Sequence, residues 1–321
     1  MPRDRNLLLG TLAAVCGASL FGTLGPLSRF GAEAGVPGVA FTAWRAILGV
    51  ATLALLIGIR GRAGTSVTAV RGLSSHGRRS LLTASLAGIV LNVSMFTAFG
   101  RIPIGLALML FYTYPAGVAI VDVWLGHERA TPMRLIALLL AMAGVVLVLA
   151  GGSGAIGGGS PDPLGIGLGL LAAASQVVFM TVSRSGYRSV PTDAATLAIL
   201  AVSAVGASAI AVGVGQGGGL VEPFRSTDPW AILLVAGIAA AAISSVLFLT
   251  AIRRLGPTRA GILMLLEPVV GVVLAAVWLH ESLGPLQALG GGLVLAGALV
   301  LQLGSDPNLE PVLEVGAGPV V

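Results

Sequence analysis

Successive apolar stretches of about twenty residues, separated by short polar turns, restrict the fold of this chain more than any other feature. A helix rises about 1.5 Å per residue, so ~20 apolar residues cross a hydrocarbon layer of about 30 Å. Within that layer no water satisfies the backbone, and helices keep each N–H and C=O paired internally. The stretches fall at 7–27, 39–59, 80–99, 105–125, 133–150, 164–183, 194–214, 230–251, 258–279 and 285–303. They predict an all-α integral membrane protein with ten transmembrane helices. Composition agrees: of 321 residues 56% are hydrophobic and 10% charged, with a mean hydropathy of +0.99, far from soluble usage.

The 18 basic residues are all arginines. On alternate connections, Arg29, Arg101 and Arg225 stand alone on one side while the other loop arginines collect on the opposite side, which the positive-inside rule makes cytoplasmic. Both termini are therefore expected inside, in a cytoplasmic (inner) membrane. Basic loops beside spans account for the charge, so nucleic acid is not an expected partner. The single Cys16 allows no internal disulfide and is expected to pack within its span.

A shift of about 153 residues aligns 98–149 with 251–302 without a gap. Pro115 meets Pro268, His127-Glu128 meets His280-Glu281, Pro132 meets Pro285 and Gly144 meets Gly297. Each half holds five spans, an odd number, so the second is expected upside down relative to the first. Such inverted repeats place a site near the midplane and permit alternating access. The expected units are 1–150, a Gly/Ser-rich linker at 151–163, the second repeat at 164–303, and a disordered acidic tail at 304–321. Because the two His-Glu pairs fall on opposite faces, they cannot share an ion, and no metal site is expected.

One carboxylate stands inside the ninth span. An acid there costs roughly 2.5 to 3.5 kcal/mol on insertion scales, so Glu267 is expected to face a protein interior or a wet cavity. Pro268 beside it removes a backbone donor and loosens the helix. Two readings stand: a substrate-binding or proton-coupling acid, or a buried structural pair with Arg45, which interrupts the second span. Helix rise puts these charges at depths differing by about 7 Å, within reach of two long side chains. Arg45 is read as structural or gate-associated, together with Pro115 and Pro268. Asp122 is expected to snorkel at the end of the fourth span. Trp44, Trp124, Trp230 and Trp278, near span ends, are expected to be interfacial anchors.

Helical spacing selects further lining candidates. These are Asn92 and Phe96 in the third span, Tyr112 and Tyr114 in the fourth, Gln176 and Phe179 in the sixth, Ser244 and Phe248 in the eighth, and Met264 in the ninth. Tyr114 is the repeat counterpart of Glu267. Packing of the aromatic and Met residues, and self-bonding of Ser to its own helix, are the competing readings. As lining, they would suit an aromatic amino acid or a similar zwitterion.

Together Pro115, Glu128 and Gly144, then Glu267-Pro268, Glu281 and Gly297, with Pro37 and Arg45 early, resemble the EamA-type repeats of the drug/metabolite transporter superfamily. The resemblance covers about residues 7 to 303. It implies two inverted five-helix repeats around a central cavity and a secondary transporter, commonly an exporter of amino acids or related metabolites. The superfamily also includes nucleotide-sugar and small-cation carriers, so a proton-coupled drug or lipophilic-cation exporter is the alternative. A non-transporting membrane scaffold is the reading from another class. No phosphate-binding loop appears, and each His lies in a loop or at a span end, so neither an enzyme nor a cofactor is expected. The expected partners are a small-molecule substrate, the bilayer, and protons as the coupling ion; the oligomeric state is open.

Overall fold

The computed structural model describes residues 2–99, 101–102, 104–127, 131–150, 162–278 and 284–303. Glu128, His280, Glu281, most of the linker and the acidic tail lie outside them. Among the described residues every regular element is helical: α1 (Pro2–Gly22), α2 (Leu24–Glu33), α3 (Gly38–Ile59), α4 (Ala63–Arg71), α5 (Ser75–Phe99), α6 (Ile104–Phe111), α7 (Tyr114–Trp124), α8 (Pro132–Ala150), α9 (Pro163–Ser185), α10 (Thr192–Gly213), α11 (Gly217–Val221), α12 (Trp230–Gly237), α13 (Ser244–Leu255), α14 (Pro257–Met264), α15 (Leu266–Trp278) and α16 (Pro285–Leu303). A π-helical turn, Ile238–Ile243, joins α12 to α13.

Among the described residues, seven helical stretches are long and apolar enough to cross a membrane: Arg5–Glu33, Gly38–Ile59, Ala107–Trp124, Pro132–Ala150, Pro163–Ser185, Thr192–Gly213 and Trp230–Leu255. The chain is a multi-pass membrane protein. Its many exposed large apolar side chains, such as Leu55, Ile59, Ile120 and Val205, suit contact with lipid rather than water.

Prolines decide where several helices begin and break. Pro132, Pro163, Pro257 and Pro285 each open a helix, where the missing N–H costs nothing. Three others interrupt one. Pro26, Pro115 and Pro268 cannot donate to the carbonyls four residues earlier, those of Gly22, Phe111 and Met264. Each of those residues is the last of its helical piece: α1, α6 and α14. The chain bridges the gaps with tighter i→i+3 bonds, Thr23 N to Leu20 O at 3.2 Å, Thr113 N to Leu110 O at 3.3 Å and Leu265 N to Ile262 O at 3.1 Å.

The loosening expected beside Pro268 is a full break, while the sequence reading carried the first and fourth spans through Pro26 and Pro115 without one. Hydropathy leaves 29–38 and 60–79 outside the apolar stretches, yet α2 continues through Glu33, and 60–79 contains α4 and the start of α5. In both places the polar residues lie on exposed helix faces, a pattern hydropathy alone scores as loop.

Helix pairing is set by small residues. The pairs α1 with α13, α3 with α10, α5 with α9 and α8 with α16 pack most extensively. A methyl group added at Gly144 on α8 would lie 2.5 Å from the Gly290 carbonyl oxygen on α16, and one at Gly297 on α16 would lie 2.7 Å from the Ala137 carbonyl oxygen on α8. The 153-residue shift exchanges these two contacts, Gly144 with Gly297 and Ala137 with Gly290. Backbones therefore touch without intervening side chains, the mode expected where lipid removes the hydrophobic drive.

Candidate functional site

Two of the three interrupted helices meet directly at Glu267, which opens α15 itself. A methyl group at Gly22, the last residue of α1, would lie 2.8 Å from the Glu267 carbonyl oxygen. Only glycine permits that approach, and it seats the α1–α2 break against the start of α15. Tyr112, in the α6–α7 break, lies close enough to the Glu267 carboxylate for the two to interact electrostatically. Glu267 occupies the first turn of α15, where the positive end of the helix dipole favours an anion.

Arg45 on α3 completes the group. Its guanidinium and the Glu267 carboxylate interact electrostatically, yet no direct ion pair between them appears among the described residues. Both side chains lie deep in the protein and both retain partial surface access. The carbonyls of Gly22, Phe111 and Met264, deprived of their helical donors, belong to the same breaks.

Aromatic rings surround this group in two clusters. Phe111 lies 5.2 Å from both Tyr112 and Tyr114, centroid to centroid, and the two tyrosines are 6.4 Å apart. Phe179 stacks on Phe248 at 6.0 Å, and Phe21 meets Phe248 edge to face at 6.2 Å. Both clusters belong to one buried core with Met264. Phe21 and Phe111 were not selected from sequence; Phe111 is the repeat counterpart of Met264, which is the signal that marks it.

The other candidates divide. Gln176 on α9 is half-buried. Ser244 is fully buried at the end of the π turn, its hydroxyl lacking a hydrogen-bond partner. Met264 packs in the core at 2% exposure, and Pro115 and Pro268 are buried beside their breaks. Asn92 donates from Nδ2 to its own helix at Gly88 O, 2.7 Å. It lines a separate cleft with Val39, Thr42, Ile89 and Ser203, between α3, α5 and α10, in which Glu267 takes no part. The side chain of Phe96 lies outside the described residues.

Two expectations are corrected. Asp122 does not snorkel: it is fully buried and bound by Thr258 and Arg184, because neighbouring helices offer it partners that the interface would otherwise supply. Trp44 is no interfacial anchor. It is 7% exposed and packs against Trp230 and Phe224, each at 5.6 Å, because the connection between α11 and α12 folds over the start of α3. Trp124, at 82% exposure, is free to meet lipid.

A model of the EamA-like transporter family matches residues 8–150 and 163–303. The chain is 29% identical over 314 residues to the threonine/homoserine exporter RhtA of Salmonella typhimurium strain SL1344, across 95% of this chain and 94% of that protein. It is 27% identical over 220 residues to the exporter of the same name from Escherichia coli strain K12, across 67% of each. A protein of known crystal structure matches with a TM-score of 0.77 at 20% identity, over 92% of this chain and 96% of that one, a likeness of fold.

Proposed function

We propose that this chain, which belongs to the EamA-like transporter family, is a secondary exporter of amino acids or related zwitterionic metabolites that works by alternating access. The observation that carries the reading is the meeting of Glu267, Tyr112 and Arg45 at broken helices from both repeats. An amino acid's ammonium group suits Glu267 and the carbonyls freed by proline, and its carboxylate suits Arg45. In a site of low dielectric each such contact is stronger than in water. The names of the relatives, threonine/homoserine exporters, favour a small hydrophilic amino acid over the aromatic one suggested by the ring clusters.

The architecture we infer is ten spans in two inverted five-helix repeats, 1–150 and 164–303, joined by a linker at 151–163. Helix pairings support it. Numbering the ten spans in chain order, α1 with α13 joins the first to the eighth, and α5 with α9 joins the third to the sixth. A two-fold axis between the halves would exchange these two pairings. The pairs α3 with α10 and α8 with α16 would lie on that axis. An axis in the membrane plane puts the Glu267 group near mid-depth, where alternate tilting of the halves exposes it to each side in turn. Inner-membrane residence with both termini cytoplasmic follows from the arginine distribution.

The test is flux into proteoliposomes for threonine, homoserine, an aromatic amino acid and a lipophilic cation, with and without a pH gradient, for the parent and Glu267→Gln. Amino-acid flux that follows the gradient in the parent and loses that dependence in Glu267→Gln is expected if Glu267 carries the coupling proton. Flux of the lipophilic cation alone would replace the amino-acid reading with that of a cation exporter, and no flux of any solute would remove the transport reading.

A further inference from the structure

A second buried polar cluster lies well away from Glu267, where α7 ends. Asp122, on α7 of the first repeat, accepts a hydrogen bond at 2.8 Å from the hydroxyl of Thr258 on α14, in the second repeat. Its other oxygen, Oδ1, lies 3.4 Å from Nη1 of Arg184, at the end of α9 and also in the second repeat. His127, in the turn after α7, places Nδ1 3.6 Å from the same Oδ1, while its carbonyl accepts from Arg184 Nη2 at 3.5 Å. Asp122 is fully buried and Arg184 is 8% exposed. One carboxylate of one repeat is thus held by two helices of the other.

The partnership is strong enough to hold and weak enough to release. Burial strips both charges of water, so their attraction is largely offset by lost hydration, and removing one partner alone leaves an uncompensated charge. If water entered between α7 and the pair α9 and α14, both charges would regain hydration, and separation would cost little. A contact with those two states suits a gate.

The cluster also exists at one end only. Under the 153-residue shift Asp122 corresponds to Ala275 and Thr258 to Gly105, neither of which carries a polar side chain. The opposite end cannot form the same contact.

We propose that Asp122, Arg184 and Thr258 are gate residues, forming a clasp that holds this end of the transport pathway shut until water enters it. The proposal rests on the alternating-access reading above. It assigns the resting state: closed where α7, α9 and α14 converge, with opening at that end as the step the clasp resists.

The test uses the full chain in liposomes, with Cys16→Ser removing the native thiol and Val118→Cys as reporter. Val118 is fully buried on α7, one turn before Asp122, so a membrane-impermeant thiol reagent reaches it only when this end opens. The double variant Asp122→Asn/Arg184→Gln, which removes both charges of the pair, is expected to speed labelling about tenfold by shifting the closed–open equilibrium. Thr258→Val should speed it less. A second reporter, Ala40→Cys, is fully buried at the start of α3, at the other end, and its labelling should stay unchanged or slow. Unchanged Val118→Cys labelling in a double variant that keeps the parent's size-exclusion profile overturns the clasp. So does faster labelling at both reporters, which would mean general loosening. If the double variant does not fold, unchanged labelling in Thr258→Val is decisive against it. Amino-acid counterflow on the same liposomes separates the two proposals: faster labelling at Val118→Cys without flux supports the clasp and removes the transport role, whereas flux with unchanged labelling removes the clasp alone.

Discussion

Glu267 owes its setting to residues whose own chemistry is unremarkable. Gly22 admits the Glu267 carbonyl by lacking a side chain, Pro268 ends α14 at Met264 by lacking a donor, and Tyr112 reaches the carboxylate because its helix is broken. The same residue-scale logic operates at the ends of the helices. Asp162 caps α9, accepting from Leu164 N at 3.0 Å, and pairs with Arg101 at 2.8 Å. The Arg101 hydrogen bond, then the Leu164 N–H, holds its carboxyl below the usual carboxylate range. A depressed carboxylate stabilises the fold above its unfolded value, about 3.9, and loses that contribution as pH falls through its folded value. The melting temperature of Arg101→Gln should therefore lie below that of the parent at pH 7, with the gap closing toward pH 3. A gap independent of pH would assign the loss to packing of the Arg101 stem.

Among the elements, the pair α8 and α16 is the most sensitive to added bulk. The methyl position on Gly144 is 2.5 Å from a backbone oxygen that has no freedom to withdraw. Gly144→Val should push the helices apart and lower stability by about 1–3 kcal/mol, the usual range for overpacking, read as a fall in melting temperature. Gly167 on α9 has nothing within 4 Å of that position; Gly167→Ala should be neutral or slightly stabilising, since alanine is the better helix former. Equal loss in both variants would show that the close approach at Gly144 does not set the cost of added bulk there. The π turn at Ile238–Ile243 belongs to the same scale. Gly237, just before it, lies against Leu48 so closely that any side chain there would collide, and Gly49 faces Ala241. The π turn and α12 lie against α3 while α13 packs chiefly on α1, and such turns often mark sites of movement.

At the scale of the molecule, the number of crossings decides which side each terminus occupies. Among the described residues seven helical stretches meet the strict criterion of length and apolarity, and an odd number of crossings would put the termini on opposite sides. The ten-span architecture puts them together. Reporter fusions that fluoresce only in the cytoplasm, placed in turn at the N-terminus and after residue 303, should both be bright; one bright and one dark fusion would rule out ten. Other helices bear on the count. α5 carries Arg78 and Arg79 in its early turns, ahead of an uncharged apolar stretch at 82–99, and α14 and α15 are each short because Pro268 divides them. Neither feature prevents a helix from lying in a membrane when its polar end reaches the surface or its broken point is enclosed by protein.

Hydropathy and the repeat made the class of this protein legible from sequence alone. Apolar segments of fixed length have one stable form in lipid, and the ordered matches from Pro115 to Gly144 and from Pro268 to Gly297 mark two copies of one unit. The sequence also pointed to Glu267, since a charge amid apolar residues needs a partner wherever it lies. Tertiary structure alone determined what surrounds it. That Tyr112 would face the carboxylate, that Asn92 would fall in a different cleft, and that Asp122 would be enclosed by Arg184 and Thr258 from the other repeat all depend on helix rotation and on which helices touch. Periodicity sorts residues into faces, but in a membrane protein the lipid-facing and protein-facing sides are both apolar. The hydrophobic pattern that orients helices in water is therefore weak, and the close approach of glycines and the breaks at proline set the orientation instead.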